Sequence, residues 1–235
     1  MTTEEFSNGF DTYVSSYRRF KDFDKKEELD SIEFDEYEKS LYLTSAQDEL
    51  VANLYNGKNI YGDSFESTEE MRRQLDVLVK QKVYNSPDGS HTTGVSSESV
   101  FYSLPADLAY IVFEQVTFGS GAGCAGGSIA AVYPVTHDEY SRVSRNPFRG
   151  PTTYKALRLD SGNREVEIVS KYPISKYMLR YISNPAPIIL ENLPNSLKVK
   201  GKAAAATCQL PEQLHDIILK RAVELALSTK SLNTK

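Results

Sequence analysis

The sequence predicts an α+β fold: a helical bundle made from N-terminal helices and a C-terminal helix, interrupted by an inserted antiparallel β-rich region. Three observations lead there. Apolar residues recur at spacings of three and four through residues 3–79. From Val100 the chain becomes rich in Val, Ile, Phe and Tyr, with turn residues between the runs. After Pro211 the helical spacing returns. The expected division is residues 1–97 as an N-terminal helical region, 98–209 as the β-rich insertion, and 210–235 as a C-terminal helix packing back on the N-terminal helices.

The first helix is expected over Thr3–Tyr17, with Phe6, Phe10, Tyr13, Val14 and Tyr17 on one stripe. Residues 21–30 are mostly charged and read as a linker. Phe34, Tyr37, Leu41 and Tyr42 resume helical spacing. Thr44 and Gln47 then look like a capping box opening a fresh helix over Ser45–Asn56, with Gly57 as its left-handed C-terminal cap. A third helix is expected from Ser67, with Met71, Leu75, Leu78 and Val79 inward and Lys80 and Lys82 in its last turn. Residues 85–97 are too polar to bury and read as a loop that is mobile or ordered only by a partner.

Strands are expected at Val100–Leu104, Leu108–Phe118 and Ile129–Val135, the last two joined by a glycine-rich tip at residues 119–128. Thr136, with Glu139 three residues on, signals a short helix that ends in the Pro/Gly breaker at 147–151. Tyr154–Leu159 and Arg164–Ser170 form a hairpin turning at residues 160–163. Alternation of Glu165 and Glu167 with Val166 and Ile168 predicts one wet and one buried face. Tyr177–Ile182, a short Ile188–Leu190 and a lysine-guarded edge strand over Leu197–Lys202 complete the β region. Pro211 opens the last helix, with Leu214, Ile218, Ala222 and Leu225 as its core stripe.

A chain of 235 residues makes one large domain or two small ones, and its 40% hydrophobic and 25% charged residues suit a folded globular protein. There is no apolar run long enough for a transmembrane helix, and the acidic N-terminus lacks the features of a signal peptide. Cys124 and Cys208 stand far apart and read as unpaired thiols in a reducing compartment. Residues 1–100 carry 21 acidic and 11 basic side chains, a net of −10; residues 101–235 carry 11 and 16, a net of +5. Such polarity suits subunits meeting through complementary surfaces.

No catalytic device is complete. Gly119, Gly121 and Gly123 lack the spacing and the following helix of a dinucleotide fingerprint, and no phosphate-loop lysine follows. His91, His137 and His215 have no companions at metal-ligand spacing, and neither cysteine has a local base. The expectation is no catalytic, metal or cofactor site. What stands out is a basic run interleaved with aromatics: Arg142, Arg145, Phe148, Arg149, Tyr154 and Arg158, with Lys155. It is read as a candidate interface, through structural pairing or contact with an acidic neighbouring surface, ahead of nucleic-acid binding, because the chain as a whole is acidic.

Residues 135–151 resemble a virion structural protein of the crAss-like short-tailed bacteriophages. So do Ala156–Asp160, Val166–Tyr172, Arg180–Tyr181, Pro187–Leu190, Leu210–Ala226, Phe34–Lys39 and Ala46–Leu50. The layout resembles a head-to-tail connector, an adaptor or ring protein whose helices are interrupted by a β insertion. The resemblance implies a non-enzymatic ring subunit, usually in twelve copies, that bridges the portal protein to further tail or connector proteins. DNA would pass through its channel without sequence-specific binding. It implies a place at the portal vertex or tail of the virion, assembly in the host cytoplasm, and no membrane partner. Other readings stay open: a different capsid-associated, assembly or tail component, or a small nucleotide-binding enzyme using the glycine-rich segment.

Overall fold

The computed structural model describes residues 1–21, 33–58, 62–194 and 196–232. The chain is α+β and divides into two compact units, Met1–Leu78 with Pro185–Lys235, and Val79–Asn184. The linker expected over residues 21–30 lies, from residue 22 on, outside the described residues.

In the first unit, α1 (Thr3–Lys21) buries Phe6, Phe10 and Val14. The next helix does not restart at Thr44. It runs unbroken as α2 (Glu36–Asn56), capped by Asp35, whose carboxylate accepts the Glu38 N–H at 2.6 Å. Gly57 closes it in the left-handed conformation, as expected. Thr44 and Gln47 mimic a capping box because they are short polar groups three apart. They actually face the segment at 186–190. Thr44 Oγ1 donates to Ile188 O (3.2 Å) and accepts from Ile188 N–H (3.1 Å). Gln47 Nε2 donates to Ala186 O (2.8 Å), and Ser40 Oγ accepts from Leu190 N–H (3.1 Å). Side chains at i, i+4 and i+7 thus supply the bonds that a neighbouring strand would. The expected Ile188–Leu190 strand is therefore an extended segment on a helix, with a single bridge from Ile189 to Ala206. Residues 197–202 are not an edge strand either. They form a tight turn bridged from Val199 to Lys202, with Lys200 and Gly201 at positive φ.

Thr68 caps α3 (Glu69–Leu75), which buries Met71 and Leu75. The last helix, α5 (His215–Leu232), follows a 3₁₀ turn over Glu212–Leu214 and packs on α1 and α2. Its buried stripe is Ile218, Ala222 and Ala226, while Leu225 stays half-buried. Lys39 of α2 is buried and bonds Asp11 of α1 (2.8 Å). Arg221 of α5 grips Glu49 of α2 with two bonds of 2.8 and 2.9 Å.

The second unit is a seven-stranded sheet: β1 (Val79–Tyr84), β2 (Ser99–Ser103), β3 (Leu108–Phe118), β4 (Ile129–Pro134), β5 (Lys155–Gly162), β6 (Glu165–Val169) and β7 (Ile174–Ser183). The order is β1-β7-β3-β4-β5-β6-β2. Lys80 and Lys82 belong to β1, not to a helix end, because the segment from Val79 pairs antiparallel with β7, from Val79↔Ile182 to Tyr84↔Tyr177. The sheet is not wholly antiparallel: β4 and β5 pair in parallel, from Ala131↔Lys155 to Pro134↔Arg158. A parallel pair needs a crossover, and α4 (His137–Ser144) lies on it.

The sheet curls until its two outer strands meet. Tyr84 of β1 and Tyr102 of β2 touch, with ring centroids 5.3 Å apart, and the Tyr84 hydroxyl donates to Ser103 O. Tyr177 of β7 packs on both rings, at 5.3 and 4.8 Å. These tyrosines, with Val116, Phe118, Val166, Ile168 and Leu179, form the core. Burial pushes the Tyr102 hydroxyl pKa up to about 12.

Candidate interaction surface

The crossover from β4 to β5 makes the most exposed aromatic surface among the described residues. Val143 of α4 is buried against Leu157, Leu159 and Val169, with Val135 and Tyr140 alongside. This fixes α4 on the sheet and leaves its other face wet. Thr136 gives no capping bond to the α4 backbone. Its hydroxyl instead holds the Asp138 carboxyl below the usual carboxylate range. His137 Nε2 lies 2.9 Å from Asp160 O, a surface contact rather than a metal or base position.

Beyond α4 the chain makes two built turns. Asn146 O accepts the N–H groups of Arg149 (3.1 Å) and Gly150 (2.7 Å), and Asn146 Oδ1 accepts that of Phe148 (2.9 Å). Only glycine fits at 150: a Cβ there would sit 2.8 Å from Ser144 O and 2.9 Å from Asn146 O. Thr152 N–H donates to Lys155 O (2.8 Å), and Thr152 Oγ1 accepts the Tyr154 N–H (3.3 Å). The turns hold Phe148 at 90% exposure and Tyr154 at 76%. Arg142, Arg145 and Arg149 are exposed beside them. Arg142 pairs with Glu139, while among the described residues Arg145 and Arg149 have no ion-pair partner.

Arg158 does not belong to this surface. Its side chain is 11% exposed and pairs with Glu114, itself 4% exposed, inside the curled sheet. The Tyr177 hydroxyl donates to the other Glu114 oxygen at 2.5 Å. Burial raises the Glu114 pKa, opposed by Arg158. Strand parity explains the error. Arg158 shares the inward face of β5 with Ala156, while Leu157 and Leu159 lie beneath α4, so both faces are covered.

The loop at 85–97 is also tied down from within the chain. Glu165 accepts from Ser90 N–H (2.8 Å), Ser90 Oγ (2.6 Å) and His91 N–H (3.3 Å), and His91 Nδ1 lies 2.5 Å away. Glu167 accepts from Val95 N–H (2.6 Å) and from the Ser99 hydroxyl. Both glutamates are buried, so the face of β6 expected to be wet is covered by this loop. The Ser90 bonds, then His91, hold the Glu165 pKa down to about 2.

The glycine segment is a hairpin tip, as its sequence suggests. Ser120–Ala125 make 3₁₀ turns, and the N–H groups of 119, 122, 126, 127 and 128 all donate to nearby carbonyls. No helix follows to cradle a phosphate, and β4 comes instead. Cys124 is exposed and free; the Cys208 thiol donates to Gln47 Oε1 at 3.2 Å. His215 is buried between Leu210 O (2.8 Å) and the terminal amine of Met1 (3.2 Å). Among the described residues no cluster of His, Cys, Asp and Glu could hold a metal, and no helix is long and apolar enough to cross a membrane.

Across residues 1–235 the chain matches the family described as phage tail ring protein 3/4. It is 42% identical over 233 residues to Ring protein 3 of Bacteroides phage crAss001, covering 98% of this chain and 97% of that protein. It is 30% identical over 237 residues to Ring protein 4/5 of the same phage, covering 96% and 92%.

Proposed function

From the premise that this chain belongs to the phage tail ring protein 3/4 family, we propose that it is a structural ring subunit of a phage virion. The ring joins the portal protein to further tail or connector proteins and continues the DNA channel. It acts without catalysis, in twelve copies, and DNA passes through without sequence-specific contact. The observation that carries an assembly role is the surface at Phe148, Tyr154, Arg142, Arg145 and Arg149. Two exposed aromatics are held outward on hydrogen-bonded turns beside Arg145 and Arg149, which have no acidic partner among the described residues. Aromatic and arginine side chains are the commonest energetic anchors of protein interfaces. Burying one such ring contributes about 1.5–3 kcal/mol.

Imaging of intact particles tests the reading. The expected result is a ring of this chain between portal and tail. Density for the chain on the capsid wall, or on no ring at all, would sink it.

A further inference from the structure

We propose that the Phe148–Tyr154 surface of one copy docks into an acidic groove on the next copy, between α3 and the 3₁₀ turn before α5. The inference rests on the ring reading and names its subunit contact. The groove has a volume of about 630 Å³, and Glu69, Glu70, Gln74, Glu212 and Gln213 line it. That size accepts a large side chain. Among the described residues that line it, the one cationic side chain, Arg73, is already engaged by Glu69 at 2.6 Å. Glu70 and Glu212 are exposed carboxylates at its rim, Glu212 lying 3.7 Å from the terminal amine of Met1. Gln74 Oε1 is shut off from solvent and has no hydrogen-bond partner among the described residues.

Charge selects a second copy as the occupant. The sheet unit, Val79–Asn184, carries 11 basic and 9 acidic side chains, and the remainder of the chain carries 16 and 23. Three of the nine acids, Glu114, Glu165 and Glu167, are buried. The outward face of the sheet unit is therefore more basic than its net of +2. The patch cannot pair with itself, since that would set Arg145 and Arg149 against their own copies. Two different surfaces on one chain make a heterologous contact, the kind that closes into a ring.

The test uses particles assembled with the full chain carrying Cys124→Ser, Phe148→Cys and Gln213→Cys. Mild oxidation should produce a ladder of covalently linked chains, while chains with either new cysteine alone should give none. A second arm needs no cysteine. Glu70→Lys with Glu212→Lys should weaken ring assembly about tenfold or more, and adding Arg145→Glu with Arg149→Glu should restore it. If the ring is present, the double-cysteine chain stays unlinked and the charge swap fails to rescue, this pairing falls and the ring reading stands. If the particles carry the chain in no ring, both fall.

Discussion

Replacing Arg158 by Met should be among the most damaging single changes in the sheet unit. The guanidinium sits beside the Glu114 carboxylate, and both are largely shut off from solvent. Removing it leaves a buried carboxylate with only the Tyr177 hydroxyl as a partner. Breaking a buried pair on one side costs about 3–5 kcal/mol. At about 2–4 °C per kcal/mol for a chain of this size, melting should fall by roughly 6–20 °C. The pH dependence gives the sign. Burial holds the Glu114 pKa above its usual value, and losing Arg158 removes the main opposing influence. A raised carboxyl destabilises the fold once pH exceeds its unfolded pKa, of about 4.3. The loss should therefore be largest at neutral pH and shrink as pH falls towards 4. Tyrosine circular dichroism in urea, at pH 4 and pH 7.5, measures it, since the rings packed in this core report its integrity. Glu114→Leu with Arg158→Met and Tyr177→Phe removes all three polar groups and should recover most of the loss. A single variant within about 0.5 kcal/mol of the parent, or equally unstable at both pH values, would refute the assignment of a buried pair.

Three further changes probe other parts of the fold. Gly150→Ala should distort the turn carrying Phe148 and cost about 1–3 kcal/mol, because its Cβ meets two carbonyls at 2.8 and 2.9 Å; an unchanged melting curve would contradict the close approach. Thr44→Val keeps the side chain's shape but orphans both Ile188 backbone groups, at about 1–3 kcal/mol, with faster hydrogen exchange at Ile188 as the readout. The loop held by Glu165 should loosen in acid: its folded pKa of about 2 lies below the unfolded value, so its contribution is full above the unfolded pKa and is lost as pH falls through about 2. Ser90 and His91 amide resonances followed from pH 6 downward should titrate near 2, and Glu165→Gln should abolish that step; a midpoint at an ordinary glutamate value would count against the tether.

The sequence made legible what repeats locally. The apolar stripe of α1, the Gly57 cap, the β5–β6 hairpin and most of the stripe of α5 follow from neighbours within four residues, although the hairpin turns at Asn163–Arg164 rather than over 160–163. What escaped depends on what lies opposite. Thr44 and Gln47 look the same whether they cap a helix or bond a distant segment, and only the fold brings Ile188 beside them. Glu165 and Glu167 alternate as on a wet face, yet a loop some 70 residues away covers them. β1 was hidden because Val79 and Lys82 fit a helix end as well as a strand. The sequence groups Arg158 with its neighbours, although Glu114, a lone acid in the apolar run of β3, hints at a buried partner. The exposure of Arg142, Arg145, Phe148, Arg149 and Tyr154 is readable in the sequence, because it is set by local turns.

The contrast between Arg158 and Arg145 bears on how the chain assembles. Both lie in the same basic run, and a net-charge count treats them alike. The fold spends Arg158 on Glu114 inside the sheet. It leaves Arg145 and Arg149 without an acid among the described residues, next to a phenylalanine that a hydrogen-bonded turn keeps out of the core. The turn closes the crossover that the parallel β4–β5 pair requires, and it also fixes the backbone at Phe148. Fixing it beforehand lowers the entropy lost when it docks. The arginines beside it can steer an acidic surface into place before the ring is buried. Preorganised aromatics ringed by unspent cations suit a subunit that must find one neighbouring surface and then hold it.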